Sequence, residues 1–229
     1  HLIAANIDQV IITVSVVDPP LRPSIIDRYL IAAEKGGLKA IIVCNKMDLL
    51  DDAHEVERIL ADECRDIYRT IGVPFLQTSI TSGEGLQSLI DIMKDRTSVF
   101  SGQSGAGKSS LLNVICGFNL KVGKTVASTK KGAHTTSWAE LLPLPFGGYV
   151  VDTPGIKSFG IWDVTKEDIR NYFTEIADHS RFCKFQDCSH RQEPGCSIPE
   201  AVEKGIISEL RYNSYLNLLE SIEEEHLRR

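Results

Sequence analysis

No stretch of this sequence is long and apolar enough to cross a bilayer, which takes about 20 residues, and nothing at its start resembles a secretory signal. Without such a signal the six cysteines are expected to be thiols or metal ligands in a reducing, cytoplasmic compartment rather than disulfides. Positive charge is not in excess: 25 Lys and Arg face 31 Asp and Glu, a net charge of −6. Bulk electrostatics therefore give no case for nucleic-acid binding, and an RNA partner would have to meet a local basic patch. An initiator methionine is missing as well. His1 leads within a few residues into a strand pattern, so the chain is read as part of a longer polypeptide. Its 229 residues, 42% of them hydrophobic, suffice for one large α/β domain and a small appendage.

Against that background one stretch stands out. Residues 102–109, GQSGAGKS, fit G-x-x-x-x-G-K-[ST], whose glycines let backbone N–H groups wrap a phosphate chain. A β-branched strand pattern (97–100) precedes the loop and a helical pattern (110–115) follows it. In that setting the helix N-terminus adds its partial positive charge to the converging amides. Gly102, Ser104, Gly105, Ala106, Gly107, Lys108, Ser109 and Ser110 are the expected phosphate-binding residues. Lys108 is to reach the β/γ-phosphates and the Ser109 hydroxyl to hold Mg²⁺.

A second signal sits upstream. Residues 8–17 read as a strand covered on both faces and 40–44 as a second buried strand, with a helix (24–35) between them. The second strand runs into Asn45-Lys46-Met47-Asp48, the N-K-x-D guanine reader of GTPases. An Asp48 carboxylate accepts from N1–H and the 2-amino group of guanine. Adenine lacks that donor pair and would strand the carboxylate, at a cost of about a thousandfold in affinity. Asn45 is expected to bond neighbouring loops and the base, and the Lys46 stem to lie over the ring. A helix over 51–70 and a strand over 73–77 follow. Thr78-Ser79-Ile80 then occupies the place of an S-A element, with Ser79 the guanine contact although Ile80 departs from the usual alanine. Gly83-Glu84-Gly85 opens a helix running to about Met93. The base-reading element weighs against a third reading, an ATP-dependent kinase.

Downstream of the phosphate loop, residues 121–136 are rich in Gly, Lys, Ser and Thr and read as a switch I loop. Thr135 or Thr136 would reach Mg²⁺, with Thr136 favoured. Lys124, Lys130 and Lys131 form the one local basic cluster. A strand pair over 138–144 and 148–151 ends in Asp152-Thr153-Pro154-Gly155, a D-x-x-G element in which Asp152 holds Mg²⁺ through water and Gly155 N–H senses the γ-phosphate. The next residue is Ile156, which cannot orient water, so intrinsic hydrolysis is expected to be slow. His134 is the nearest group able to assist. Ordinary GTPases run phosphate loop, switch I, D-x-x-G, N-K-x-D, S-A; here the last two come first. The cyclic order is kept while its start has moved, the mark of a circular permutation.

A third constellation lies in the appendage. Cys183, Cys188, His190 and Cys196 are spaced C-x4-C-x-H-x5-C, a closed set of three thiolates and one imidazole suited to structural Zn²⁺. Cys44, Cys64 and Cys116 read as small core residues. Thr165 is expected to cap a helix, and helices are expected over 201–205 and from 207 to about 225.

GQSGAGKSS, KKGAHTT (130–136), DTPG and the Cys/His cluster together resemble the bacterial circularly permuted GTPases of the RsgA/YjeQ type, which depend on the small ribosomal subunit. The likeness covers essentially the whole chain. It implies an α/β fold: a circularly permuted P-loop GTPase sheet flanked by helices over 1–160, then a small zinc-binding, mainly helical domain over 161–229. It further implies a monomer that binds GTP or GDP with Mg²⁺ and acts late in 30S subunit maturation. GTP hydrolysis stimulated by that subunit and contact with 16S rRNA are part of the same expectation. The resemblance gives His134 a catalytic role beside Lys108 and Thr136. The family's N-terminal OB-fold domain is absent from these residues, and Ala133 replaces one basic residue of the family's switch run. A competing expectation is a nucleotide-gated RNA- or ribosome-binding module whose hydrolysis is incidental.

Overall fold

A computed structural model describes residues 7–118, 120, 140–152, 164–191 and 193–227. The chain divides into two compact units, one of residues 1–21 and 33–159 and one of residues 22–32 and 160–229.

The first unit is built on a six-stranded sheet in the order β3-β2-β1-β4-β6-β5. Strand β1 (Gln9–Ser15) is central and buried at all seven positions, as its run of β-branched residues requires. It pairs in parallel with β2 (Lys39–Asn45) on one side and β4 (Arg96–Gly102) on the other. Beyond them lie β3 (Phe75–Gln77) and β6 (Gly148–Asp152), also parallel. Only β5 (Glu140–Pro143) runs antiparallel, paired with β6 at the edge. The helices of this sequence stretch are α1 (Pro23–Lys35), α2 (Glu55–Thr70), α3 (Leu86–Met93) and α4 (Lys108–Cys116). Ile11, Val43, Leu89, Phe100, Leu111 and Val150 share one core. Five parallel strands give the sheet one carboxyl edge, where β2 ends in Asn45, β3 leads into Thr78, β4 into the phosphate loop and β6 ends in Asp152.

In this unit two local expectations need correction. The helix expected from residue 51 starts at Glu55. Asp51 instead closes a turn on itself, its Oδ1 accepting from Ala53 N at 2.9 Å and meeting His54 Nδ1 at 2.6 Å, the local competition that keeps Asp out of helix interiors. Cys116 is only half-buried, unlike Cys44 and Cys64, though burial still pushes its thiol up to about 11.

The second unit is helical: α5 (Lys166–Tyr172), α6 (Thr174–His179), α7 (Ile198–Glu203) and α8 (Glu209–Leu227), joined by residues 22–32 from α1. Thr165 does cap α5, in a full capping box with Asp168. The expected helix over 201–205 starts earlier, at Ile198, because Pro199 fits the first turn, where its missing N–H costs nothing. Ile31, Phe173, Ile198, Tyr215 and Leu218 lie in a common core.

At the centre of this unit sits an ion pair. Arg211 Nη1 meets Asp27 Oδ1 at 2.5 Å, with side-chain exposures of 3% and 0%. Tyr172 Oη also donates to Asp27 Oδ1, at 3.1 Å, and Ser214 Oγ donates to Oδ2. Arg211 Nε bonds Glu175 Oε1 at 2.7 Å, and the guanidinium stacks 4.1 Å from the Phe173 ring centroid. Burial opposes the charge on Arg211, but Asp27, Tyr172 and Glu175 outweigh it and raise its pKa. No helix among the described residues is long and apolar enough to cross a membrane.

Candidate functional site

The phosphate loop leaves β4 at Gly102 and enters α4 at Lys108. Gly102 has φ 124°, and a Cβ there would lie 2.0 Å from the Thr13 carbonyl oxygen on the neighbouring strand. Only glycine lets the loop turn that close to β1. Gly107 ends the loop at φ 94°, where a Cβ would lie 2.4 Å from Asn45 Nδ2. Leu111 N–H donates back to Gly107 O at 2.9 Å, the first bond of α4, so the loop runs directly into a helix N-terminus, the end of a helix that favours an anion. Lys108 Nζ donates to the loop's own Gly102 O (2.9 Å) and Gln103 O (2.6 Å). These contacts hold the ammonium over the loop. Ala106 is fully buried, whereas Ser104 and Gly105 are exposed and Ser109 and Ser110 partly so.

Asn45 joins this loop to the base-reading elements. It ends β2 fully buried, donates from Nδ2 to Ala106 O at 2.9 Å and accepts at Oδ1 from Thr78 Oγ1 at 3.1 Å. One side chain thus ties together three peptides that lie far apart in the sequence. Lys46 takes a left-handed conformation (φ 66°), and its Nζ donates to Asp18 O in the loop after β1. That loop also accepts from Gln103 Nε2 at Pro20 O, 3.4 Å away.

Asp48 stands exposed in a single 3-10 turn, Met47–Leu49. Ser79 Oγ donates to its Oδ1 at 2.6 Å and Thr81 Oγ1 to its Oδ2 at 2.9 Å. The Ser79 bond is the leading cause of a pKa below the ordinary carboxylate value. The group is therefore an exposed carboxylate whose acceptors suit a two-donor base edge.

The structure therefore brings together Asn45, Lys46, Asp48, Ser79 and residues 102–110. Asp152 ends β6, the strand paired with β4. His134, Thr135, Thr136, Gly155, Ile156 and the lysines 124, 130 and 131 lie outside the described residues. The sequence alone does not single out Thr78 or Thr81. The run Thr78-Ser79-Ile80-Thr81-Ser82 signals several hydroxyls, but nothing in it says which ones turn toward Asp48.

In the second unit the ligand atoms of Cys183, Cys188, His190 and Cys196 all lie within 4.8 Å of one another. Cys183 Sγ is 3.6 Å from His190 Nδ1 and 4.0 Å from Cys196 Sγ, and Cys196 Sγ is 3.6 Å from His190 Nδ1. A tetrahedral ion with bonds of about 2.3 Å to sulfur and about 2.0 Å to nitrogen sets ligand separations of roughly 3.8 and 3.5 Å. The cluster has those dimensions and could hold such an ion. Burial pushes the Cys196 thiol up to about 12, and the charges of Cys183 and Cys188 add to it, so a cation is what would let all three be thiolates together. Around the cluster, Ser197 N and Oγ approach Cys183 Sγ at 3.5 and 3.3 Å. Tyr212 Oη donates to His190 O at 2.6 Å. Glu193 ties the intervening turn by accepting from Ser189 N (2.7 Å) and Arg191 N (2.9 Å); the Ser189 bonds hold its carboxyl down at about 2.

Comparison with known proteins places this arrangement. A family model described as RsgA GTPase matches residues 1–162. The small ribosomal subunit biogenesis GTPase RsgA of Bacteroides fragilis is 43% identical over 225 residues, 98% of this chain and 72% of that protein. The protein of the same name from Chlorobaculum parvum is 42% identical, over 98% of this chain and 70% of its own. Among solved structures, YjeQ from Thermotoga maritima superposes with a TM-score of 0.74 at 40% identity, over 95% of this chain and 72% of that one. YloQ, described as a circularly permuted GTPase, gives a TM-score of 0.70 at 33% identity, over 96% of this chain and 69% of that one.

Proposed function

This chain belongs to the RsgA GTPase family, and from that premise we propose that it hydrolyses GTP as a factor in small ribosomal subunit biogenesis, with the subunit itself stimulating turnover. The observation that carries the nucleotide reading is the Asn45 bond to Ala106 O at 2.9 Å, which fixes the base reader to the phosphate loop. In this reading Asp48 takes the guanine edge, with Ser79 behind it. Gly102, Ser104, Gly105, Ala106, Gly107 and Ser110 wrap the phosphates through backbone amides, and Lys108 neutralises the β/γ-phosphates.

Ser109 and Thr136 would hold Mg²⁺, with Asp152 reaching it through water, and Gly155 N–H would meet the γ-phosphate. The ion supplies charge neutralisation of the phosphates when bound. Ile156 cannot position water, so His134 takes a general acid/base role and the small subunit completes the site. Lys124, Lys130 and Lys131 supply contacts to 16S rRNA. Cys183, Cys188, His190 and Cys196 hold a structural Zn²⁺ that leaves no open position for a reacting water. The chain works as a cytoplasmic monomer.

Single-turnover GTP hydrolysis with and without small subunits tests the central claim. Addition of subunits should accelerate the wild-type chain, and His134→Ala should lose about a hundredfold or more of the stimulated rate. No acceleration by subunits would end this reading. A His134→Ala chain that matures subunits normally would instead favour a binding module whose hydrolysis is incidental.

A base-exchange variant tests the nucleotide assignment separately. Asp48→Asn replaces an acceptor with a donor, so it should weaken GTP by about a hundredfold or more. Xanthosine triphosphate, whose 2-oxo group accepts that donor, should become the preferred competitor. Unchanged competition between the two nucleotides would remove Asp48 as base reader.

A further inference from the structure

Asp48 is held from two sides, and only one of them follows from its neighbour Ser79. Ser79 is fully buried, and its Oγ accepts from Ser82 N at 3.1 Å. That bond occupies a lone pair and leaves the hydroxyl proton for Asp48 Oδ1, 2.6 Å away. The turn containing Thr81 is closed by its own backbone: Ser79 N donates to Glu84 O at 3.1 Å and Gly83 N to Ser79 O at 3.0 Å. Ser82 Oγ accepts from Glu84 N at 3.3 Å, and Gly85 is so tight at φ 68° that a Cβ would fall 2.1 Å from Gln77 O. This self-bonded turn carries the Thr81 hydroxyl to Asp48 Oδ2 at 2.9 Å. Each carboxylate oxygen is thus held by one hydroxyl, while the Asp48 side chain stays exposed to an incoming base.

Guanine recognition needs that plane fixed. The N1–H and 2-amino donors lie side by side on one edge, and a carboxylate free to rotate about its Cβ–Cγ bond must be ordered at binding. We propose that Thr81 is a specificity-determining positioning residue: its hydroxyl locks the Asp48 carboxylate in the orientation that accepts the two-donor edge of guanine. The inference rests on Asp48 being the base reader, and it concerns binding of the base rather than transfer of the phosphoryl group. Loss of the Thr81 donor also removes one of the bonds that lower the pKa of Asp48, while Lys46, whose charge acts on the same carboxylate, is untouched.

Equilibrium competition with GDP, XDP and ADP, on the full chain, separates the possibilities. Thr81→Val keeps the shape and loses the hydroxyl; Thr81→Ser keeps the hydroxyl. Thr81→Val should bind GDP about tenfold more weakly, the lower range of a hydrogen bond to a charged group, and Thr81→Ser should stay within about twofold of the wild type. The rate at saturating GTP should not change. On acidification GDP affinity should fall away at a higher pH in Thr81→Val than in wild type, because Asp48 protonates more readily without that donor; Thr81→Ser should restore the wild-type limb. Wild-type GDP affinity and an unmoved acid limb in Thr81→Val would overturn the proposal. So would equal losses in Val and Ser, which would mark a structural turn residue. A wild-type chain with no preference for GDP over XDP and ADP would overturn the base-reading assignment itself, whatever the Thr81 variants do.

Discussion

Arg211→Leu should destabilise the second unit by about 3–5 kcal/mol, the cost of breaking a buried pair by removing one of its members. The Asp27 carboxylate has no solvent exposure and meets Arg211 Nη1 at 2.5 Å. Tyr172 Oη and Ser214 Oγ also donate to it, but neither carries the charge that balances an ionised carboxylate. Leucine would also give up the guanidinium stacked on Phe173 and strand Glu175, the pair's partly exposed third member. The double variant Asp27→Leu/Arg211→Met removes both buried charges at similar volume and should recover most of the loss, because a buried pair is worth little more than good apolar packing. Hydrogen exchange of amides in α5, α6 and α8, with the single and double variants side by side, measures this. Equal loss of protection in single and double variants would show that packing, not charge pairing, is the contribution.

That pair also marks where sequence reading ran out. Asp27 and Arg211 are 184 positions apart, and each falls on a helix pattern where a charged residue ordinarily reads as a solvated face. Nothing local announces that residues 22–32 cluster with the carboxyl-terminal helices. The phosphate loop and the N-K-x-D element were legible for the opposite reason. Their chemistry writes itself into residue type: Gly102 and Gly107 stand where a Cβ would strike Thr13 O or Asn45 Nδ2, and Asn45 must be able to donate and accept at once. The zinc-type spacing was legible because three thiols and an imidazole are rarely gathered in so short a span. Thr81 was not, because a hydroxyl in a turn looks the same whether it faces water or a carboxylate. The start of α2 was misplaced on similar grounds, since Asp51 could begin a helix or bond its own turn, and the structure has the turn.

Removal of the metal should free residues 183–197 while leaving guanine-nucleotide binding in place. Apart from the four ligands, this stretch is held by polar contacts: Lys184 N to Gly195 O at 3.0 Å, Ser197 on Cys183 and on His179 O, the Glu193 turn, and the bonds of Tyr212, Tyr215 and Glu223 on α8 to His190 O, Ser189 O and Arg191. Phe182 and Phe185 at its start are 60% and 44% exposed and contribute little core. A segment so built would depend on the proposed ion, since zinc binding is worth about 10–16 kcal/mol in small zinc modules. The helices around it have their own core, with Ile169, Phe173, Tyr215 and Leu218 buried, so the expected result is a released loop on a loosened but folded unit. Cys188→Ser should lower zinc affinity well beyond the roughly 10–100-fold that loss of an outer hydrogen bond produces. Elemental analysis for one zinc per chain, segment-resolved hydrogen exchange and GDP affinity, each with and without chelator, give three separate readouts. Unchanged protection across 183–197 after the metal is gone would show that the polar contacts suffice. Loss of GDP binding together with the loop would show that the ion supports the nucleotide site too.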